Sequence, residues 1–458
     1  MSGGTGRSID RERLQRLHAR ELDAFANAHP RSRALHERAR ASMLGGVPMP
    51  WMARWPGGFP VYAASATGSR IVDVDGHAYV DLCLGDTGAM GGHSPAAMVE
   101  AVRAQLGHGT TMMLPTEASV GAAENLARRF GVRYWQFTLS ATDANRTALR
   151  LARQITGRPL VVVHSYCYHG TVDETFAVRA PDGATRSREG NVGPAVDPAA
   201  TTRAVEFNDV GQLEAALADD AVACVIAEPA LTNMGIVLPE PGYHEALRSL
   251  TRRHGTLLLI DETHTFSAGY GGCTRAWGLE PDLVTIGKSI GGGVPCGALG
   301  MSAEVGRRIA AQEGVDYEDT GGVGGTLAGN ALSAAAMRAT LEEVLTEAAF
   351  GRMIGLAGEL QRSIARTIES RRLPWNVVQL GCRVEYGFLP SPARNGTTAK
   401  AGADRDLEAY LHLYLLNRGV LITPFHNMVL MSPSTTAEDV AAHDRGFAAA
   451  IDELLGTD

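Results

Sequence analysis

The chain contains only two lysines among its 42 Lys and Arg residues, Lys288 and Lys400. Arginine supplies nearly all of the positive charge, so each lysine raises the question of what a guanidinium cannot do. A primary amine can form an imine with an aldehyde, whereas a guanidinium stays protonated and cannot. Lys400 lies in the polar stretch RNGTTAKAGADRD, which is typical of a solvated loop. Lys288 follows the apolar run LVTIG and precedes a glycine cluster, so we expect it to carry an aldehyde-bearing group.

Other apolar runs also end in polar residues that could serve the same group. Asp261 follows TLLLI, Glu228 follows CVIA, Ser140 follows QFTL, and Tyr168 and His169 follow VVVHSYC. A partly buried Asp261 needs a positive partner, which a protonated pyridine nitrogen would supply, and that proton makes the ring an electron sink. The alternative for Asp261 is an ordinary helix cap. Its place among several such strand ends favours the pyridine partner.

Two glycine- or hydroxyl-rich turns are candidates for holding a phosphate. In TLSATDANRTALRLAR, the backbone amides of Ala141 and Thr142, with the hydroxyl of Ser140 or Thr142, lie between a predicted strand and a predicted helix. The positive end of a helix favours an anion there, although Ser or Thr followed by Asp is also a common N-cap pattern. Thr326 follows the glycine run GGVGG, which lets the backbone approach a phosphate closely or forms a flexible loop.

Four residues are candidates for direct contact with the ring. Tyr168 would lie over one face and Thr263, two residues after Asp261, over the other. Asn233 and His264 are candidates for a hydrogen bond to a phenolic oxygen of the ring. For His264 the alternative is a histidine that fills a polar corner.

The pattern of elements predicts an α/β fold that would bring these residues together. Short apolar runs alternate with helical stretches over residues 95–300, which indicates a mostly parallel sheet with helices on both faces. Functional residues then collect at the carboxyl ends of the strands. We predict an N-terminal helix, arm and start of a small domain over 1–75, a large domain over 76–330 and a small α+β domain over 331–458. Within this order, SRIVDVDGHAYVD predicts a β-hairpin around its DG turn.

Composition excludes several classes of function. The net charge of −8 argues against a nucleic-acid-binding surface. Six cysteines without a CxxC pair predict neither a metal site nor a disulfide framework, and they favour the reducing cytoplasm. The charged first thirty residues lack the apolar core of a signal peptide, and no long apolar stretch follows, so we expect no membrane contact.

These residues, in this order, resemble the class III aminotransferases of fold type I, a family that includes glutamate-1-semialdehyde aminomutase and β-amino-acid and ω-amine transaminases. The resemblance covers roughly residues 40–450, and its most specific stretches are IAEPALTNMGIVLPEPGYHEALR, LLLIDETHTFSAGYGG, DLVTIGKSIGGGVPCGALG and GGTLAGNALSAAA. The chain departs from the family in having SATDA for SGTEA and DET for DEV. Neither change removes a contact that the chemistry needs.

The resemblance implies the cofactor pyridoxal 5′-phosphate and a homodimer with active sites at the subunit interface. By matching motifs, it makes Lys288 the Schiff-base lysine, Asp261 the partner of the pyridinium nitrogen, and the turn from Ser140 to Thr142 the phosphate cup. It makes Thr326 a phosphate ligand supplied to the neighbouring subunit.

The substrate side of the resemblance is less complete. Relatives that act on β-amino acids grip a carboxylate with an Arg of the N-terminal arm or of a late segment. The late segment here is TPFHNMV, which has no Arg but contains His426. The arm offers Trp51 and Arg54. Arg54 could bind the carboxylate, with a surface position as the alternative, and the aromatic residues of the arm suggest a pocket for an apolar group.

We therefore predict a transaminase that moves an amino group between an amino acid or amine and a keto acid. One alternative is a glutamate-1-semialdehyde-type 2,1-aminomutase, and another is an amino-acid racemase or epimerase on the same scaffold. Transamination needs a second substrate as amino acceptor, whereas the alternatives do not. A non-catalytic, cofactor-binding regulator is a further possibility, which the lack of a basic patch disfavours.

Overall fold

The computed structural model describes residues 7–312 and 323–457. The chain divides into two compact units. Unit 1 contains the described residues of 1–94, 351–392 and 402–458, and unit 2 contains those of 95–350 and 393–401. The sequence predicts different domain boundaries, after residues 75 and 330, and these remain a prediction.

The described residues form helices and strands that alternate through most of the chain. The α-helices are α1 (Arg11–Ala28), α2 (Pro30–Ala39), α3 (Ala96–Leu106), α4 (Glu117–Phe130), α5 (Ala141–Thr156), α6 (Val210–Leu217), α7 (Tyr243–Arg253), α8 (Gly272–Ala276), α9 (Ala303–Ala310), α10 (Ala331–Ala339), α11 (Glu347–Ser370), α12 (Gly396–Ala401), α13 (Arg405–Leu416) and α14 (Ala437–Leu455). The strands are β1 (Ala63–Thr67), β2 (Arg70–Asp73), β3 (Ala78–Asp81), β4 (Tyr134–Thr138), β5 (Leu160–His164), β6 (Ala177–Arg179), β7 (Thr185–Ser187), β8 (Thr202–Val205), β9 (Val222–Ala227), β10 (Leu257–Asp261), β11 (Leu283–Ile286), β12 (Gly297–Met301), β13 (Asn376–Leu380), β14 (Arg383–Gly387), β15 (Val420–Leu421) and β16 (Met428–Leu430).

Unit 2 is built on a seven-stranded sheet with the order β4-β12-β11-β10-β9-β5-β8. Strand β12 runs antiparallel to both of its neighbours, and the other pairs along β11, β10, β9, β5 and β8 are parallel. Because β4 and β11 are both antiparallel to β12, they run in the same direction. The predicted α/β class with a mostly parallel sheet is therefore confirmed.

The core of unit 2 lies on both faces of this sheet. On β10, Leu257 and Leu259 belong to one apolar cluster, whereas Leu258 and Ile260 belong to another. Side chains alternate between the faces of a strand, so both faces are covered. Helix α5 packs in the first cluster, while α6 and α7 pack in the second. Every residue of β10 is buried, which explains why its sequence is an apolar run up to Asp261.

Unit 1 contains two smaller sheets, with the orders β1-β2-β3-β15 and β13-β14-β16. The predicted hairpin is present as β2 and β3, which pair antiparallel. Asp10 caps α1 by accepting hydrogen bonds from backbone amides of the first turn. Phe25 of α1 is fully buried in an apolar cluster with Tyr79 and with Leu413 of α13. This cluster holds the N-terminal helix on the rest of unit 1.

Among the described residues, no helix combines the length and the apolar character required to cross a membrane.

Candidate active site

The strand ends of unit 2 bring the predicted acid and amine to the same edge of the sheet. Strand β10 ends at Asp261, and Lys288 comes two residues after the neighbouring, parallel strand β11. Strand β4 points the same way and leads into α5 at Ala141. Because the carboxyl ends of parallel strands meet at one edge of the sheet, these residues lie at the same edge.

The carboxylate of Asp261 is buried and accepts three hydrogen bonds. Asn145 Nδ2 lies 2.8 Å and His169 Nδ1 lies 2.9 Å from its Oδ2, and the backbone N–H of Thr263 donates to its Oδ1 at 3.0 Å. Burial acts to raise the pKa of Asp261, but the contact with His169 and these hydrogen bonds outweigh it and lower the pKa. The acid stays ionised inside the protein, which is what a protonated ring nitrogen requires.

His169 is the charged partner of this acid. Burial acts to lower the pKa of His169, whereas Cys167 and the Asp261 carboxylate raise it, and the pKa lies well above its ordinary value. The His169 Nε2 and the Thr263 hydroxyl are both buried and have no hydrogen-bond partner among the described residues. Such buried polar atoms need a partner, so they indicate room for a polar group from a ligand.

Asn145 is a residue that the sequence interpretation missed. Its Nδ2 also donates to the backbone oxygen of His169 at 3.0 Å, and its Oδ1 accepts the hydroxyl proton of Thr285 at 2.6 Å. It thereby joins α5, β10 and β11 behind Asp261. Asn is a poor helix former because it competes for backbone hydrogen bonds, so a buried Asn in the second turn of α5 was a usable indication of a tertiary role.

The amine of Lys288 lies beside His264, which the sequence made a candidate for a hydrogen bond to the ring. Lys288 Nζ is 2.8 Å from His264 Nε2. The backbone of Lys288 has a φ of 51°, in the left-handed region that a residue with a side chain seldom adopts. Strained residues of this kind cost on the order of 1–3 kcal/mol and concentrate at functional sites. The conformation of Lys288 therefore favours a functional role for its side chain.

The predicted phosphate turn lies directly against the residue before Lys288. A Cβ on Gly287 would be 2.9 Å from the backbone nitrogen of Ala141, so only glycine permits this approach. On the other side of the turn, the backbone N–H of Thr171 donates to Thr142 Oγ1 at 3.2 Å. Ser140 is the N-cap of α5 and accepts the N–H of Asp143, which is the alternative considered for it. The first amides of α5 lack partners within the helix and can bind an anion.

Glu228 binds the backbone of Tyr168 and the residue Thr232. Its Oε1 accepts the backbone N–H of Tyr168 at 3.1 Å, and its Oε2 accepts the N–H and the hydroxyl of Thr232. Burial raises the pKa of Glu228. Asn233 donates through Nδ2 to the backbone oxygen of Tyr166 at 3.1 Å. The predicted contacts of Tyr168 and Asn233 with a ring stay predictions.

The remaining predicted residues have separate surroundings. In unit 2, Thr326 is exposed within the turn over 323–330. In unit 1, Trp51 packs against Phe425 with ring centroids 5.6 Å apart, and Arg54 is exposed. His426 is buried, and its Nδ1 is 2.5 Å from Glu385 Oε1. Roles for Thr326 in a neighbouring subunit and for Trp51, Arg54 and His426 in substrate binding stay predictions.

Several short contacts connect the residues at these strand ends. Lys288 Nζ lies beside His264, three residues after Asp261, and Gly287 lies close to Ala141 of the phosphate turn, whose Thr142 contacts Thr171. An amine, an ionised buried carboxylate and a helix N-terminus thus lie along one contiguous edge. They fit the aldehyde, the ring nitrogen and the phosphate of one small molecule.

Comparison with known proteins gives consistent matches. The model of the family Aminotransferase class-III matches residues 51–451. The glutamate-1-semialdehyde 2,1-aminomutase 2 of Brevibacillus brevis is 35% identical over 418 residues, which cover 90% of this chain and 95% of that protein.

Solved structures extend these matches. A glutamate-1-semialdehyde-aminomutase from Pseudomonas aeruginosa is 49% identical, with a TM-score of 0.94 and coverage of 97% of this chain and 99% of that one. A variant from the same organism, with the same identity, is described in complex with PMP. An omega-transaminase from Sphaerobacter thermophilus is 29% identical, with a TM-score of 0.85 and coverage of 94% of this chain and 100% of that one.

Proposed function

The chain belongs to the class-III aminotransferase family, and on that premise we propose that it is a glutamate-1-semialdehyde 2,1-aminomutase. The predicted family, fold type I and the cofactor pyridoxal 5′-phosphate are confirmed by the family match and the relatives. The protein is a class III enzyme that acts on small molecules. Transamination between two substrates was the main prediction, and the relatives favour the aminomutase alternative over it.

The observation that carries the proposal is the extent of the similarity. A protein described as an aminomutase shares 49% identity with this chain over 97% of its length, whereas the omega-transaminase shares 29%. The late segment TPFHNMV has no Arg, so it gives no support to the branch that acts on β-amino acids. A transaminase must bind a second, often dicarboxylic, substrate, whereas a mutase handles one molecule throughout.

The proposed reaction is an isomerisation. The amino group on C2 of glutamate 1-semialdehyde moves to C1, and the carbonyl oxygen appears on C2, giving 5-amino-4-oxopentanoate. Atoms balance within one substrate, and no oxidant or amino acceptor is required. When bound, pyridoxal phosphate supplies the carbonyl that takes up and returns the amino group and the electron sink that lets a C–H proton leave.

The side chains of unit 2 divide the remaining work. Lys288 would hold the cofactor carbonyl and, once released, carry the proton between carbon atoms as a general base. His264 Nε2, 2.8 Å from the Lys288 amine, is placed to keep that amine oriented and to share its proton. Asp261 would keep the ring nitrogen protonated, and the amides of Ala141 and Thr142 would bind the phosphate.

The decisive experiment supplies glutamate 1-semialdehyde as the sole substrate to the purified holoenzyme and follows 5-amino-4-oxopentanoate. We expect sustained turnover without any keto acid, and none in the Lys288→Ala variant. Turnover of an amine or amino acid that stops when the keto acid is withheld, together with inactivity on the semialdehyde, would establish transamination instead. Inversion of a single amino acid without migration of its amino group would establish a racemase.

We also infer that the working enzyme is a homodimer in the cytoplasm. The exposed position of Thr326 supports its predicted role toward a second subunit. The six cysteines, all free and buried, suit a reducing compartment. Light scattering on the eluted protein should give twice the chain mass of 48.5 kDa, and a mass of one chain would contradict the dimer.

A further inference from the structure

A second cluster of ligand-type side chains lies in unit 1, apart from the residues assigned above. His29 joins α1 to α2, Asp73 ends β2, and His77 lies in the turn before β3. Their ligand atoms all lie within 4.8 Å of one another. Asp73 Oδ2 is 3.5 Å from His29 Nε2 and 3.0 Å from His77 Nδ1. His29 and Asp73 are buried, whereas the His77 side chain is 42% exposed.

The hydrogen bonds around His29 direct its Nε2 at Tyr79 and Asp73. His29 Nδ1 lies 2.8 Å from the backbone oxygen of Phe25, which can only accept, so Nδ1 carries the proton. A neutral His29 then presents the lone pair of Nε2 to the Tyr79 hydroxyl at 2.8 Å and to Asp73. Tyr79 has one proton, and its hydroxyl also lies 2.8 Å from Asp73 Oδ2.

Either placement of the tyrosine proton leaves two lone pairs facing each other. If Tyr79 donates to Asp73, its oxygen meets the lone pair of His29 Nε2. If it donates to His29, its oxygen meets the Asp73 carboxylate. Both arrangements are unfavourable in a buried place, where unscreened charges interact strongly. A cation between His29, Asp73 and His77 removes the conflict.

We propose that His29, Asp73 and His77 bind one divalent transition-metal ion, with zinc as the chemically simplest occupant. Two imidazoles and one carboxylate are a common ligand set for zinc and its neighbours in the first transition row. A solvent water would complete the coordination on the exposed side of His77. This proposal departs from the expectation, drawn from the cysteine pattern, that the chain has no metal site.

The surroundings of the three ligands are those of a built site. The backbone oxygen of Phe25 holds the second nitrogen of His29, which is the outer hydrogen bond that orients metal-bound imidazoles. The backbone N–H of His77 donates to Asp73 Oδ1 at 2.8 Å, which leaves Oδ2 directed at the two histidines. The His29 ring also stacks on Phe25, with centroids 4.2 Å apart.

The position of the site suggests what the metal would do. His29 comes from the junction of the two N-terminal helices, and Asp73 and His77 come from the β2–β3 hairpin. One ion would therefore fasten the N-terminal helices to the first sheet of unit 1. Because an ion that binds only the folded chain stabilises it, the metal would act on the order and stability of this region.

The test uses the full-length holoenzyme, freed of metal with a chelator and dialysed against Zn²⁺ or Co²⁺. We expect one equivalent of metal per chain and, with Co²⁺, visible d–d absorption of a four- or five-coordinate ion. The His77→Ala variant should bind at least a hundredfold more weakly. The control is His108→Ala, which removes an exposed histidine just after α3 whose Nδ1 lies 2.9 Å from the backbone oxygen of Ala104.

Several results would overturn the site. The wild type could fail to bind metal below millimolar concentration, the His77→Ala variant could bind metal as tightly as the wild type, or the His108→Ala control could lose metal binding. The His77→Gln variant, which keeps a polar side chain, guards against misfolding, and retained circular dichroism shows that it folds. In the wild type, metal should also slow cleavage within the Arg-rich α1 by an arginine-specific protease.

Discussion

Asn145 links the acid of the site to the sheet, so its removal tests whether the packing behind Asp261 matters for chemistry. The substitution Asn145→Leu keeps a similar volume but deletes three hydrogen bonds. Those bonds run to Asp261 Oδ2 at 2.8 Å, to the His169 backbone oxygen at 3.0 Å and from Thr285 Oγ1 at 2.6 Å. The side chain is fully buried, so water does not replace these partners.

The magnitude follows from the kinds of bond that are lost. A hydrogen bond to a charged group contributes about 1.5–3 kcal/mol, and an unsatisfied buried hydroxyl costs about 1–3 kcal/mol. We expect Asn145→Leu to lower the free energy of unfolding by about 3 kcal/mol or more. Losing the donor to Asp261 also raises the pKa of this acid and weakens its hold on the ring nitrogen. A loss of about 1.5–3 kcal/mol there corresponds to a kcat lower by roughly ten- to a hundredfold.

Thr285→Val provides the matched control because the Thr285 hydroxyl donates to Asn145 and not to Asp261. This variant should lose about 1 kcal/mol of stability and keep kcat within about threefold. Denaturant unfolding measures the stability, and turnover of the semialdehyde at saturating cofactor measures kcat. If Asn145→Leu retains the kcat and cofactor affinity of Thr285→Val, the assigned role of Asn145 in positioning Asp261 is refuted.

Three further changes give separate tests. A Cβ on Gly170 would lie 2.0 Å from Thr142 Oγ1, so Gly170→Ala should weaken cofactor binding at least about tenfold. The control Gly190→Ala, at a glycine with a φ of 83° and no atom within 4 Å of the added Cβ, should leave cofactor binding unchanged. Equal losses of binding in the two variants would contradict the role of the turn. Burial, with Coulombic help from nearby acids, raises the pKa of Glu408 from 4.5 to about 7, so the wild type loses stability as pH rises from 4.5 through 7. Glu408→Gln should therefore match the free energy of unfolding of the wild type near pH 4.5 and exceed it by about 3 kcal/mol above pH 8, since one pKa unit is about 1.36 kcal/mol. Urea unfolding at the two pH values measures this difference. A difference that does not change with pH would contradict the raised pKa of Glu408. Lys288→Ala should bind the cofactor without the imine absorbance of the wild type and show no turnover, and an active variant would remove Lys288 from the mechanism.

The strand-end residues were predictable because their positions follow from a local pattern. A continuous apolar run indicates a buried strand, and the polar residue that ends it must lie at the functional edge of a parallel sheet. Asp261 and Lys288 were found in this way, and the structure places Asp261 at the end of β10 and Lys288 two residues after the adjacent strand β11. The glycine before Lys288 was visible only as the last residue of an apolar run, and its contact with Ala141 required coordinates.

Residues that act through distant partners were not predictable in this way. Asn145 lies 116 residues from Asp261 and 140 residues from Thr285 along the chain, and nothing local to α5 identifies either partner. The cluster of His29, Asp73 and His77 was missed for the same reason, since helix α2 and strands β1 and β2 lie between its two histidines in the chain. The choice between transamination and isomerisation also escaped the sequence, because both use the same lysine and acid.

The path of the chain between the two units constrains how the protein is made. Unit 2 takes most of its residues from 95–350 but also includes 393–401, where Gly396 packs closely on the backbone oxygen of Ser165. A ribosome adds residues in order from the amino end, so the larger unit lacks its last helix until translation has passed residue 401. The N-terminal residues of unit 1 can pack against α13 and α14 only after those helices have been translated. Unit 2 can therefore complete its fold only after residue 401 has been made and unit 1 only after α14, so a fragment ending near residue 350 lacks parts of both units and is expected to be prone to aggregation.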